Sequence, residues 1–260
     1  MEPLLTYREE IAHTTLPQLG ATIPQRGNRL SRAFWSFVMR LFGWRVDGHL
    51  PDLPRFVFVG APHTSNLDFF MTALTMAALG IDVHFVMKHT PFVGPVGWFL
   101  RWFGGIPLDR DRTRDFVSQM VDEFDGREQF LLAIMPEGTR GKDQDSATKG
   151  WRSGFYHIAR GAGVPLVMVV FDYAAKCMRV GPMVNIGESY EVDLPAIQAH
   201  FVGMPGKNPE RMLALGEKVG ASGPGGVNVN GWRKLLDLRA QVKKLVPHHS
   251  TVLDDKVQAQ

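Results

Sequence analysis

The sequence predicts an α/β fold: a single domain with a mixed, largely parallel central sheet flanked by helices, preceded by an amphipathic N-terminal helix. Three observations predict it. Short apolar runs rich in Val, Phe, Leu and Ile alternate with helix-period stretches from about residue 50 to about residue 190. Two of the helical stretches close on glycines, at Gly80 and at the pair Gly161 and Gly163. The 260 residues are 45% apolar and 21% charged, which suits one full core, or at most two small ones, and not a disordered chain.

The elements follow in order. Residues 1–27 hold Pro3, Pro17, Pro24 and Gly27 and form a lead-in. In "NRLSRAFWSFVMRLFGW" Asn28 is placed to cap a helix. Leu30, Phe34, Phe37, Leu41 and Trp44 recur at helical spacing, a stripe widened by Trp35, Val38 and Phe42. Arg29, Arg32, Ser36 and Arg40 fall on the other side, the pattern of a helix lying in a membrane interface. The alternative is a helix docked on its own domain with its arginines in water. Next come a buried strand "RFVFVGAP", a helix "LDFFMTALTMAALG" and a strand "DVHFVMK". "FVGPVGWFLRWFGG" reads as part helix and part loop, and "GIPLDR" as a short strand. "TRDFVSQMVDEFDG" is an amphipathic helix with Phe116, Met120 and Phe124 on one face. "QFLLAIMPEGTR" is a strand entering a loop, "GWRSGFYHIARGAG" a helix, and "VPLVMVVFDY" a strand. "KCMRVGPMVNIG" is a further strand or the second arm of a hairpin. The Gly-rich stretch 203–231 reads as a connector, and "WRKLLDLRAQVKKLV" after it as a basic amphipathic helix. The expected organisation is therefore 1–47 for the lead-in and membrane-association helix, 48–202 for the central domain, and 203–260 for the connector and C-terminal helix.

A net charge of +3 gives no support to nucleic-acid binding. The single Cys177 has no partner for an internal disulfide and fits a reducing compartment. Early acids and the lack of a long apolar core argue against a secretory leader at the start of the sequence. No uncharged apolar run reaches the roughly 18 residues of a spanning helix. The expectation is a peripheral protein on the cytoplasmic side of a membrane.

Chemistry concentrates in two places. "GAPHTSNLDFF" sets His63 on the turn after a strand and Asp68 in the first turn of the next helix. A chain bending from strand to helix brings the two side chains together. An Asp that accepts from one imidazole nitrogen fixes the tautomer and raises the basicity of the other. Spacing alone is a weak signal, since a lone histidine is more often structural. No Gly-x-Ser-x-Gly elbow and no His or Cys ligand spacing accompanies them, so neither a serine hydrolase nor a metal site is indicated. The loop "MPEGTR" offers Glu137, the backbone N–H groups of Gly138 and Thr139, and the guanidinium of Arg140, a set suited to a phosphate. Arg110, after a strand, would join it or pair with Asp109, Asp111 or Glu137.

With those residues in place, the chain resembles the glycerolipid acyltransferases, the superfamily of lysophosphatidic acid (1-acylglycerol-3-phosphate) acyltransferases. The likeness rests on four blocks in order between about residues 50 and 190: H-x-x-x-x-D, "FVMKHTPFVGPVGWFLRWFGGIPLDR", "MPEGTR" and "GVPLVMVVFDY". The resemblance implies transfer of a fatty acyl group from acyl-CoA or acyl carrier protein to a lysophospholipid hydroxyl, with no cofactor and no metal. It implies His63 as general base and Asp68 as its orienting partner. Lys88, Arg110, Glu137, Gly138, Thr139 and Arg140 would bind substrate, and Val164 and Pro165 would belong to the acyl-donor region. Pro62, Gly141 and the lack of a second proline after Pro165 depart from the family pattern. These departures bear on the acceptor and not on the reaction type. The competing readings are a non-catalytic lipid-binding protein of the same fold and a thioesterase or esterase that uses water as acceptor.

Overall fold

The structure is a computed structural model that describes residues 16–65, 67–108, 113–137, 151–187, 189–201 and 207, with Thr113 and Arg114 described by their backbone alone. The expected sheet is present. Strands β1 (Arg45–Asp47), β2 (Arg55–Gly60), β3 (Val83–Lys88), β4 (Gly105–Leu108), β5 (Phe130–Ile134), β6 (Leu166–Asp172) and β7 (Cys177–Val184) form one sheet in the order β1-β7-β6-β2-β5-β3-β4. Every neighbouring pair is parallel except β6 and β7, which form a hairpin. The central strands carry the most continuous apolar runs because both of their faces are covered: all seven residues of β6 and five of six in β2 are buried.

The helices among the described residues are α1 (Arg29–Leu41), α2 (Leu67–Leu79), α3 (Gly94–Trp102), α4 (Thr113–Asp125), α5 (Gly154–Gly161) and α6 (Tyr190–Ala199). The steps from β2 to β3 and from β3 to β4 cross the sheet in one direction. The steps from β4 to β5 and from β5 to β6 cross it in the other. Right-handed crossovers then put α2 and α3 on one face and α4 and α5 on the opposite face. The core follows this division. Phe56 and Phe58 of β2 pack with Met71, Met76 and Leu79 of α2 and with Met39 of α1, while the alternate residues Val57 and Val59 lie outside that cluster.

Local chemistry explains the helix ends. Asn28 and Ser31 form a reciprocal capping box at α1. Gly80 ends α2 at φ +71°, a conformation a side chain would strain. In α3 a Cβ on Gly97 would lie 2.3 Å from the backbone of Phe92, so only glycine lets the helix close on its own entry turn.

Helix α1 is turned the opposite way from an ordinary surface helix. Arg32 donates from Nε to the Leu79 carbonyl at 3.1 Å, and Ser36 Oγ lies 3.2 Å from the Ala78 carbonyl, so these polar groups face α2. Leu30, Phe34, Phe37 and Leu41 are exposed on the opposite side. Arg32 and Ser36 thus lie opposite the apolar stripe, as the spacing predicts, but the alternative of a docked helix with its arginines in water does not hold for Arg32: the carbonyls at the end of α2, which lack intrahelical partners, draw both residues inward. Trp44 leaves the outer stripe. It is buried, edge-on to Tyr173 and Phe171. Two elements have no counterpart in the sequence reading, the three-residue β1 and α6, which contains Pro195.

Candidate active site

Three adjacent parallel strands, β5, β2 and β6, end at the same edge of the sheet, and each delivers a polar residue just past its C-terminal end. From β2 comes His63, after a cis Ala61–Pro62 bond. From β5 comes Glu137, and from β6 comes Tyr173. The first turn of α2 supplies Asp68.

Asp68 is the hub, with 1% of its side chain exposed. Its Oδ2 lies 3.0 Å from His63 Nδ1 and accepts from the backbone N–H groups of Thr64 and Ser65, each at 2.9 Å. Its Oδ1 accepts from the hydroxyl of Tyr173. Burial pushes the carboxyl pKa up. The hydrogen bonds from His63, Tyr173 and Ser65, with the charge on His63, outweigh burial and hold it below the ordinary value. Asp68 is therefore an anion and can only accept. The proton of a neutral His63 ring then sits on Nδ1, which leaves Nε2 with its lone pair as the basic atom. The His63 side chain keeps 16% of its surface exposed.

Glu137 reaches the same turn from the other side. Its Oε2 accepts from the His63 backbone N–H at 3.0 Å and so fixes the loop that carries the ring. Its buried Oε1 finds no hydrogen-bond partner among the described residues. Burial pushes the carboxyl pKa up to about 7, against the hydrogen bond and charge of His63. An apolar cavity lies under α2, lined among others by Phe58, Thr72, Met76, Met135 and Phe171. Thr72, on its wall, donates to the backbone carbonyl of Asp68.

The structure brings together His63, Asp68 and Glu137 of the residues singled out in the sequence. Lys88 ends β3 at the same edge of the sheet, exposed and two strands away from β2. Arg110, Gly138, Thr139 and Arg140 lie outside the described residues. Val164 and Pro165 do not join the group. They precede β6, at the opposite end of a seven-residue strand, roughly 20 Å away at about 3.3 Å per residue. There Val164 is buried and the Pro165 carbonyl accepts from the Val57 N–H at 3.0 Å, a packing role. Tyr173 was not singled out. Its signal was its place directly after the longest buried run, at the end of "VPLVMVVFDY".

Residues 45–172 match the Acyltransferase family model, a span that runs from β1 to the last residue before Tyr173. The chain is similar to the 1-acyl-sn-glycerol-3-phosphate acyltransferase of Saccharomyces cerevisiae, 26% identical over 113 residues, 42% of this chain and 36% of the relative. It is 31% identical over 121 residues to the 1-acyl-sn-glycerol-3-phosphate acyltransferase BAT2, chloroplastic, of Brassica napus, covering 46% of this chain and 35% of the relative. The chain thus spans just over a third of the length of these two curated relatives. Among solved structures it is similar to the crystal structure of the 1-acyl-sn-glycerophosphate (LPA) acyltransferase PlsC from Thermotoga maritima, with a TM-score of 0.48 and 18% identity over 75% of this chain and 80% of that one. The family match takes in the strand, turn and helix that hold His63 against Asp68: residues 45–172 form an acyltransferase-family segment, similar to the glycerolipid acyltransferases.

Proposed function

We propose that this protein transfers a fatty acyl group from acyl-CoA or acyl carrier protein to the free hydroxyl of a lysophospholipid such as 1-acylglycerol-3-phosphate. The observation that carries the reading is the 3.0 Å contact from His63 Nδ1 to an anionic, fully satisfied Asp68, which leaves Nε2 as a directed base. Nε2 takes the hydroxyl proton as the acceptor oxygen attacks the thioester carbonyl. The tetrahedral intermediate then collapses, the C–S bond breaks, and the imidazolium returns the proton to the departing thiolate. A thioester is already activated, so no covalent nucleophile is needed. The products are a diacyl lipid and a free thiol. The base contributes about 10²–10⁴-fold, and positioning supplies much of the rest.

The Glu137–Arg140 loop, with Arg110 and Lys88, is assigned to the acceptor's phosphate on the sequence motifs. The outward apolar stripe of α1 lies in the membrane interface, and attachment is at the cytoplasmic face, where acyl-CoA and acyl carrier protein are available. Supporting this, α1 has no acidic residue and directs Leu30, Phe34, Phe37 and Leu41 to solvent, and no helix among the described residues is long and apolar enough to cross a bilayer. The test is incubation of purified protein with labelled acyl-CoA or acyl carrier protein and a lysolipid panel, followed by product identification. A diacyl product that forms only with lysolipid is expected. Thioester loss without lysolipid dependence would instead identify a thioesterase, and no turnover with any donor a lipid-binding protein.

A further inference from the structure

We infer that α3 is a second lipid-contact surface, which together with α1 seats the catalytic face of the sheet on an anionic bilayer. All but Met183 and Val192 of the large apolar side chains that the described residues leave exposed lie on α1, α2, α3 and the caps of α1 and α3. The opposite layer, α4 and α5, leaves none. On α3, Trp98 and Trp102 stand one turn apart and are 69% and 57% exposed, with Val93, Val96 and Phe99 beside them. A helix of a soluble face does not hold two tryptophans out to water, and a patch of this kind marks an interaction site.

Charge points to a lipid surface as the occupant. The stretches 26–46 and 83–108, which carry α1 and α3, contain arginine, lysine and histidine but no aspartate or glutamate. Among the described residues no acid pairs with Arg29, Arg40, Lys88 or Arg101. Aromatic rings flanked by such cations match an interface of apolar chains under anionic head groups. The two surfaces are continuous. Arg26, just before α1, stacks on the Trp102 ring at 4.8 Å and ties the start of one helix to the end of the other. The reactive groups adjoin this surface along the chain: exposed Phe70 shares the first turn of α2 with the inward-turned Asp68, and Phe42 at the end of α1 leads into Trp44 and its contact with Tyr173. A lysolipid would thus reach His63 from the bilayer itself.

The inference rests on the α1 reading but is tested apart from it. Flotation of the full chain with phosphatidylglycerol/phosphatidylcholine vesicles is measured for Val96→Ser/Trp98→Ser on α3 and, separately, Phe34→Ser/Phe37→Ser on α1. Val96 and Trp98 make no ring contact or side-chain hydrogen bond among the described residues, so circular dichroism and the melting temperature should hold. The expected result is an at least tenfold weaker vesicle partition for the α3 pair, with turnover of a short-chain, water-soluble acceptor unchanged. If the α3 pair floats like the unaltered protein, the inference is overturned whatever the α1 pair does. If only the α1 pair floats normally, α3 stands and the α1 reading falls. A change in sedimentation from dimer to monomer without a change in flotation would assign the α3 face to a second copy and also overturn it.

Discussion

Glu137→Gln should remove a pH dependence of stability that one buried carboxyl imposes. In the folded protein Glu137 accepts the His63 N–H at 3.0 Å through one oxygen, while the other is buried without a partner among the described residues. Burial carries its pKa from an ordinary 4.5 to about 7. Between those values the folded state holds a proton that the unfolded state has released, so unfolding releases a proton and stability falls as pH rises. The contribution is fully present below pH 4.5 and is lost through about pH 7. At about 1.4 kcal/mol for each tenfold change in proton affinity, the whole swing is about 3 kcal/mol. Glutamine keeps the acceptor for His63 and has nothing to titrate. The difference in unfolding free energy between the variant and the unaltered protein should therefore grow by up to about 3 kcal/mol from pH 4.5 to pH 8, in favour of the variant. Urea unfolding at a series of pH values measures it, with the slope checked for constancy. A difference that stays flat across that range would show that Glu137 titrates normally, and the burial argument would fail.

Two further outcomes follow from the site. Tyr173→Phe removes the donor to Asp68 Oδ1 and keeps the ring against Trp44, so kcat should fall about tenfold at nearly constant KM while the melting temperature changes little; an altered KM with normal kcat would contradict a positioning role. Arg140→Lys keeps the charge and loses the planar fork, so it should raise KM for a phosphate-bearing acceptor; equal losses with phosphate-bearing and phosphate-free acceptors would remove the case for phosphate recognition.

What the sequence made legible was what local pattern encodes. Continuous apolar runs gave the central strands, because a strand buried on both faces has no polar alternation to hide it. His63 and Asp68 were readable because five residues of one strand–turn–helix unit bring them together. Tyr173 was not, since it meets Asp68 across 105 residues and only because the strand order sets β6 beside β2. The same topology separates Val164 and Pro165 from the chemistry: block membership does not say at which end of a strand a residue falls. Helix α6 was hidden by Pro195, a helix-breaking signal that this helix tolerates behind its Ser189 cap. Which of the two readings of α1 holds could not be settled from the pattern, because a helical wheel sorts residues into faces but does not say which face the rest of the protein will claim. The carbonyls at the end of α2 claim the side with Arg32 and Ser36, and the aromatic side is left outward.

The central claim is that His63 Nε2, aimed by Asp68, is the base that activates the acceptor hydroxyl. The most direct measurement is the initial rate of diacyl product formation from labelled acyl thioester and 1-acylglycerol-3-phosphate, for the unaltered protein and for His63→Ala matched in melting temperature and vesicle binding. A fall of about 10²–10⁴-fold or more, with lipid binding intact, is the predicted result. Near-normal turnover by His63→Ala would contradict it.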